Sequence, residues 1–308
     1  MPHNPFDNDL FLPVLLRVVL LIVAGLAAVV LAQRRPLRVL RRSTFFTRAR
    51  TWLWMAPLFL VCVFTGGFIA FLLATFVVLQ GVSEFARIAA IDRRYALLLM
   101  LWGQVGLLVA ALEREYFLFL PFGFFILLTL VPIVSGEVED AGRQVGNTLF
   151  GYVYIALPLA YIVFAKAAQP WGLNFLVIVT VSVAFSDVAA LAVGAALKGP
   201  KLIPRINPDK TWSDALGNLI GAAVGVALLA VAIPDEWTAA GVVALVLMIA
   251  VGSVWGDVTD SLVKRAFQVE RGSQVMFGFG AILDRVDSLL LALPLCYYAL
   301  ILVNDLTS

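Results

Sequence analysis

Apolar runs long enough to cross a bilayer recur along almost the whole chain, at 10–32, 52–79, 96–112, 116–134, 148–165, 173–192, 215–233, 238–255 and 283–303. Each is near the length that spans a hydrocarbon core as a helix, and a backbone in lipid must satisfy its own hydrogen bonds. Composition agrees: 62% of the residues are hydrophobic and 14% charged, against about 45–50% and about 25% in soluble domains. The pattern predicts an all-α fold: a polytopic membrane helical bundle with about nine or ten transmembrane helices, forming one integral membrane domain over 1–308. The first run follows no lysine or arginine and precedes no small-residue cleavage site, so it reads as an anchor helix.

The run 52–79 is long and carries Gly66-Gly67 inside it. One crossing would put Arg87, Arg93 and Arg94 on the side opposite the arginines at 34, 35, 38, 41, 42, 48 and 50. Two short legs bent at the glycine pair keep both clusters on one side, as the positive-inside rule favours. A re-entrant segment or a pair of short helices near 52–79 is therefore expected among the N-terminal helices of 1–170. The loops then sort by charge. Glu113-Arg114-Glu115 and Pro234-Asp235-Glu236 fall outside, whereas Lys198, Lys201, Arg205, Lys210, Lys264, Arg265 and Arg271 fall in the cytoplasm.

Several chemistries are excluded by what the chain lacks. The only histidine is His3, and the two cysteines, Cys62 and Cys296, lie in apolar runs. Histidine catalysis is excluded, and the cysteines read as buried membrane thiols, against a disulfide framework or a zinc site. No phosphate-binding loop of the Walker type, no nucleophile elbow and no basic, aromatic surface for nucleic acid is present.

The remaining chemistry-bearing residues gather in 171–308. Asp187, after Ser186, is a carboxylate inside an apolar run, which is either functional or a helix-end group at the interface. The stretch Lys201-Leu-Ile-Pro-Arg205-Ile-Asn207-Pro208-Asp209-Lys210-Thr211-Trp212 holds two helix-breaking prolines and reads as an irregular loop. Its basic residues suit phosphate oxygens or serve topology alone, and Thr211 or Ser213 can cap the helix that follows. Asp257 and Asp260 lie three apart and share a helix face with Ser261 and Lys264; Asp284 and Asp287 repeat that spacing beside Arg285. Paired carboxylates at two helix ends can hold a hard divalent cation whose shell substrate phosphates complete. Lys264, Arg265 and Arg285 can neutralise a polyphosphate, and Gly278 and Gly280 permit close backbone approach. That set suits phosphoryl or nucleotidyl transfer; interfacial salt bridging is the alternative.

These residues resemble the phosphatidate cytidylyltransferase (CDP-diacylglycerol synthase) family. Its signature, Ser-x-x-Lys-Arg followed by a glycine-rich loop and Asp-Arg-x-Asp, is matched by Ser261, Lys264, Arg265, Gly278, Gly280, Asp284, Arg285 and Asp287. Gly256-Asp257, Asp187-Val-Ala-Ala190 and Lys201 to Trp212 match further elements. The chain departs from the pattern at Glu270-Arg271, where the family has Lys-Asp, and at Phe279, where it has histidine.

The resemblance implies joining of CTP and phosphatidate to give CDP-diacylglycerol and pyrophosphate with Mg2+. It implies Asp257 and Asp284 as metal ligands, and allows a second, monovalent cation such as K+. Lys264, Arg265, Asp287, Arg285 and Asp260 are then the catalytic set. Asp187, Lys201, Asn207, Lys210, Thr211, Ser261, Gly278 and Gly280 are the substrate-binding set. It further implies membrane lipids as surroundings, a homodimer, and the bacterial inner (cytoplasmic) membrane with the active site facing the cytoplasm. Two other readings stay open: a divergent paralogue using another lipid phosphate or nucleotide, and a lipid-binding protein without catalysis.

Overall fold

The computed structural model describes residues 4–33, 44–268 and 282–307. Helices α1 (Phe11–Gln33), α2 (Thr44–Thr65), α3 (Gly67–Ile88), α4 (Arg93–Leu112) and α5 (Leu120–Ser135) come first. Helix α6 (Ala141–Gly151) runs through a π turn, Tyr152–Ala156, into α7 (Leu157–Ala168). Then follow α8 (Gly172–Leu197), strands β1 (Lys201–Ile203) and β2 (Asn207–Thr211), α9 (Trp212–Leu228), α10 (Ala239–Ala266) and α11 (Leu283–Thr307).

Among the described residues seven segments are long and apolar enough to cross a membrane: Gly67–Ile88, Arg93–Leu112, Glu115–Ser135, Ala141–Ala168, Gly172–Leu197, Ala239–Ala266 and Leu283–Thr307. Three shorter apolar segments, Phe11–Gly25, Met55–Thr65 and Trp212–Leu228, accompany them among the described residues. The protein is an integral membrane protein of the all-α, polytopic class.

The break inside 52–79 falls at Gly66, whose φ of 140° is a backbone conformation open to glycine. The helices on either side, α2 and α3, have 22 residues each, and the apolar part of α2 is the shorter segment Met55–Thr65. The stretch expected as an irregular loop at 201–211 is instead an antiparallel hairpin, pairing Lys201 with Thr211 and Ile203 with Asn207. Its prolines are compatible with that: a two-stranded ribbon has edges where a missing N–H costs no ladder bond.

Two helix pairs carry the second half. Helix α9 packs on α8 through Gly217, Gly221 and Gly225, where a Cβ would lie 2.6–2.9 Å from Ala190, Ser186 and Ser182 atoms. Helix α10 packs on α11 in the same way. A Cβ on Gly252 would meet Ala292 Cα at 2.6 Å, and one on Gly256 would meet Asp287 O at 2.5 Å. In lipid, where apolar burial gives no driving force between helices, such close approach supplies the packing. Helices α7 and α8 form the buried centre, and α3 and α4 close the bundle on the other side.

The two ends of the bundle are tied separately. At one end Gln144 Nε2 donates to Ala90 O, and its Oε1 accepts from Asp92 N. Arg94 there meets Glu137 at 3.0 Å. At the other end Asn174 donates to Ala232 O, and Asn304 accepts from Thr238 N. The hairpin, the end of α10 and the start of α11 all lie at the first end.

Candidate active site

Asp257, Asp260, Ser261 and Lys264 fall on one face of α10 because the helix continues unbroken to Ala266. Gly256 lets α11 approach closely enough to bring Asp284 and Asp287 against that face. Lys264 Nζ donates to Asp260 and, at 2.5 Å, to Asp284 Oδ1, so one ammonium joins the two helices. Asp287 is half-buried, accepts from Ser288 N at 2.8 Å and lies within electrostatic reach of Asp257, Asp260 and Asp187.

The hairpin closes a second side. Asn207 Nδ2 donates to Ser261 Oγ at 3.0 Å, while its Oδ1 accepts from the backbone of Asp209 and Lys210. Arg265 Nε donates to Ile206 O, holding the hairpin tip to α10. Lys210 is buried, 7% exposed, and its Nζ donates to Asp257 Oδ2 and to Asn218 Oδ1. Burial alone would pull this ammonium below the usual lysine range. The charge and hydrogen bond of Asp257, with Asp187 and Asp214 beyond, more than offset that and hold it above. Lys210 is thus a fixed positive charge at neutral pH.

Asn218 was not visible as a site residue in the sequence. It is fully buried on α9, donates from Nδ2 to Ser186 Oγ (3.0 Å) and Asp187 Oδ1 (3.3 Å), and accepts from Lys210 through Oδ1. The small residues between α8 and α9 bring it there. Its only sequence signal is an amide in an apolar run, flanked by Gly217 and Gly221. Tyr154, from the π turn, is a second residue of this kind: buried, and within electrostatic reach of Asp260, Asp287, Asp257 and Asp284. Local π turns are frequent at functional sites.

Other expected residues sit at the margin. Lys201 is exposed and donates to Asp209 O within its own hairpin. Thr211 is the N-cap of α9, with a reciprocal pair of bonds to Asp214, so its hydroxyl is engaged in capping. Arg285 is half-buried at the start of α11. Gly278, Gly280, Phe279 and the Glu270-Arg271 departure lie outside the described residues.

A family model described as the cytidylyltransferase family matches residues 46–303, most of the chain. The chain belongs to that family. Among curated relatives, a phosphatidate cytidylyltransferase of Brucella suis is 39% identical over 151 residues, covering 48% of this chain and 54% of that protein. One from Bacillus subtilis is 27% identical over 181 residues, covering 59% and 67%. One from Haemophilus influenzae is 34% identical over 132 residues, covering 41% and 46%. The chain spans about half the length of the Brucella relative it matches. Within the family frame, the acidic and basic residues gathered at this end of the bundle form the candidate active site.

Proposed function

We propose that this protein joins CTP to phosphatidate, releasing pyrophosphate and leaving CDP-diacylglycerol in the membrane. The observation that carries the reading is the convergence of Asp257, Asp260, Asp284 and Asp287 with Lys210 and Lys264 at one bundle end, in a chain of the cytidylyltransferase family. That end carries Arg87, Arg93, Arg94, Arg143, Lys198 and Arg205 as well, so the positive-inside rule turns it to the cytoplasm, where CTP is found.

The residues fit a magnesium ion. Every carboxylate in the cluster offers hard oxygen donors, and magnesium is commonly held by one or two carboxylates with substrate phosphates and water. Among the described residues no group of three or more acidic, histidine or cysteine side chains forms a ready-made cage. Asp257 and Asp284 would hold it, one from each helix. The ion would supply positive charge against the triphosphate oxygens.

The chain's own residues do the rest. A phosphate oxygen of phosphatidate forms a bond to the α-phosphorus of CTP, and the bond from that phosphorus to the bridging oxygen breaks, its electron pair leaving with pyrophosphate. Lys264 and Lys210 meet that growing negative charge with ammonium groups already held in place, which is where transfer reactions gain most. Asn207 and Ser261 fix the hairpin over the site, and Asn218 holds Lys210.

Radiolabelled CTP incubated with phosphatidate, Mg2+ and the detergent-purified protein tests this: labelled lipid and pyrophosphate should appear together. Asp284→Asn should abolish both, with a thermal transition that is lowered by the lost Lys264 contact but still cooperative. Wild-type protein that releases no pyrophosphate, where a working relative does, overturns the reading.

A further inference from the structure

Among the described residues, the helix that carries Asp284, Arg285 and Asp287 has no capping side chain next to it in sequence. The residue before it is Ile282, whose carbonyl accepts from Val286 N at 3.1 Å in the manner of a cap but whose side chain has no acceptor. The first turn of any helix leaves backbone N–H groups without partners. Here two of them are met from far away in sequence. Glu84, on α3, accepts from Ile282 N through Oε1 at 2.9 Å and from Leu283 N through Oε2 at 3.0 Å. Both oxygens of one carboxylate are thereby committed to the start of α11, and a negative charge at that position also favours the positive end of the helix.

Its neighbour secures the other helix. Phe85 packs edge-on against Phe267, just beyond α10, with ring centroids 5.7 Å apart. Phe85 is fully buried and also fills the space beside Gly151, where a Cβ would lie 2.6 Å from its ring. Consecutive residues of α3 thus grip the end of α10 and the start of α11. Those are the two helices whose carboxylates Lys264 joins.

We propose that Glu84 is a positioning residue: it fixes the first turn of α11 so that Asp284 stays in register with Lys264. This rests on the proposed function for its catalytic consequence, but its geometric content stands apart from that reading. Glu84 touches no reacting group; it acts through the backbone of Ile282 and Leu283.

The test uses the full-length protein in detergent or nanodiscs, with Glu84→Ala and the milder Glu84→Gln, which keeps one acceptor oxygen. Hydrogen exchange should accelerate about tenfold or more over 282–287 in the alanine variant and less in the glutamine variant, with the middle of α10 unchanged. The thermal-stability coupling between Lys264→Met and Asp284→Asn, measured as a double-mutant cycle, should shrink when Glu84 is alanine. Turnover should fall about tenfold or more in kcat, with the KM for CTP little changed. Unaltered exchange over 282–287, or an undiminished Lys264–Asp284 coupling, overturns the proposal. Wild-type protein without turnover sinks the functional reading instead, and the exchange and coupling results still decide the role of Glu84.

Discussion

Lys210 Nζ lies 3.2 Å from Asn218 Oδ1, and through that amide the lysine on the hairpin is joined to Asp187 on α8. The amide has a defined sense: oxygen toward the ammonium, nitrogen toward the carboxylate and Ser186 Oγ. A side-chain amide offers an acceptor to one charge and donors to the other from separate atoms. Replacing it with leucine keeps the heavy-atom count and removes one hydrogen bond each from Lys210, Ser186 and Asp187. Asn218→Leu should cost about 1–3 kcal/mol for the unmet hydrogen bonds and lower turnover at least tenfold. Asn218→Gln should recover part of the stability. Thermal unfolding in detergent, with CTP incorporation on the same samples, reads both.

The part-buried pair of Lys210 and Asp257 invites a cycle. Lys210→Met leaves Asp257 within reach of Asp287 with its cation removed; breaking a buried pair from one side costs about 3–5 kcal/mol, and the partial exposure of Asp257 puts this one at or below the lower end of that range. Adding Asp257→Asn removes the stranded charge, so the double variant should be more stable than Lys210→Met alone. Turnover should not return with stability, because the proposed metal ligand is gone. A double variant as unstable as the single one would mean that packing, and not charge, dominates at this position.

Gly256 is where helix packing and chemistry meet. A Cβ there would stand 2.5 Å from Asp287 O and 2.6 Å from Ser288 Cα, both backbone atoms that cannot swing aside. Gly256→Ala must therefore push α10 from α11 beside the carboxylates, costing about 1–3 kcal/mol and a larger share of activity than of stability. Gly146→Ala is the matched control: nothing lies within 4 Å of a Cβ on that glycine in α6, so stability and turnover should be kept or slightly raised.

Much of this was legible in the residues. Apolar run length gave the helices, since lipid leaves the backbone few alternatives. Three-residue spacing put Asp257 with Asp260 and Asp284 with Asp287, because helix periodicity is local. What could not be read depends on contacts between distant segments. Glu84 and Asn218 look like single polar residues in apolar runs, and only the packing of α3 against α11 and of α9 against α8 gives them partners. The 201–211 hairpin escaped because two prolines signal a break and not the geometry that replaces the helix. Thr211 was read both as a cap and as a substrate contact, and its bonds to Asp214 give it the first of these.

Sidedness is open to a direct test. The ties between Glu84 and Leu283, and between Gln144 and Asp92, gather the ends of α3, α6 and α11 with the hairpin at one face. The ties of Asn174 to Ala232 and of Asn304 to Thr238 gather the opposite face. Arginine and lysine weight the first face and Glu113, Glu115, Asp235 and Glu236 the second, so topology and proposed substrate access point the same way. Single cysteines at exposed positions settle it, after the native Cys62 and Cys296, both free, are replaced by serine and alanine. Cysteine placed at Glu139 or Asp209 should react with a membrane-impermeant maleimide only in inverted vesicles, and cysteine placed at Glu113 or Glu236 only in intact cells. Labelling at Asp209 from outside the cell would put the hairpin and the carboxylates away from the CTP pool, and the proposed reaction would fall with it.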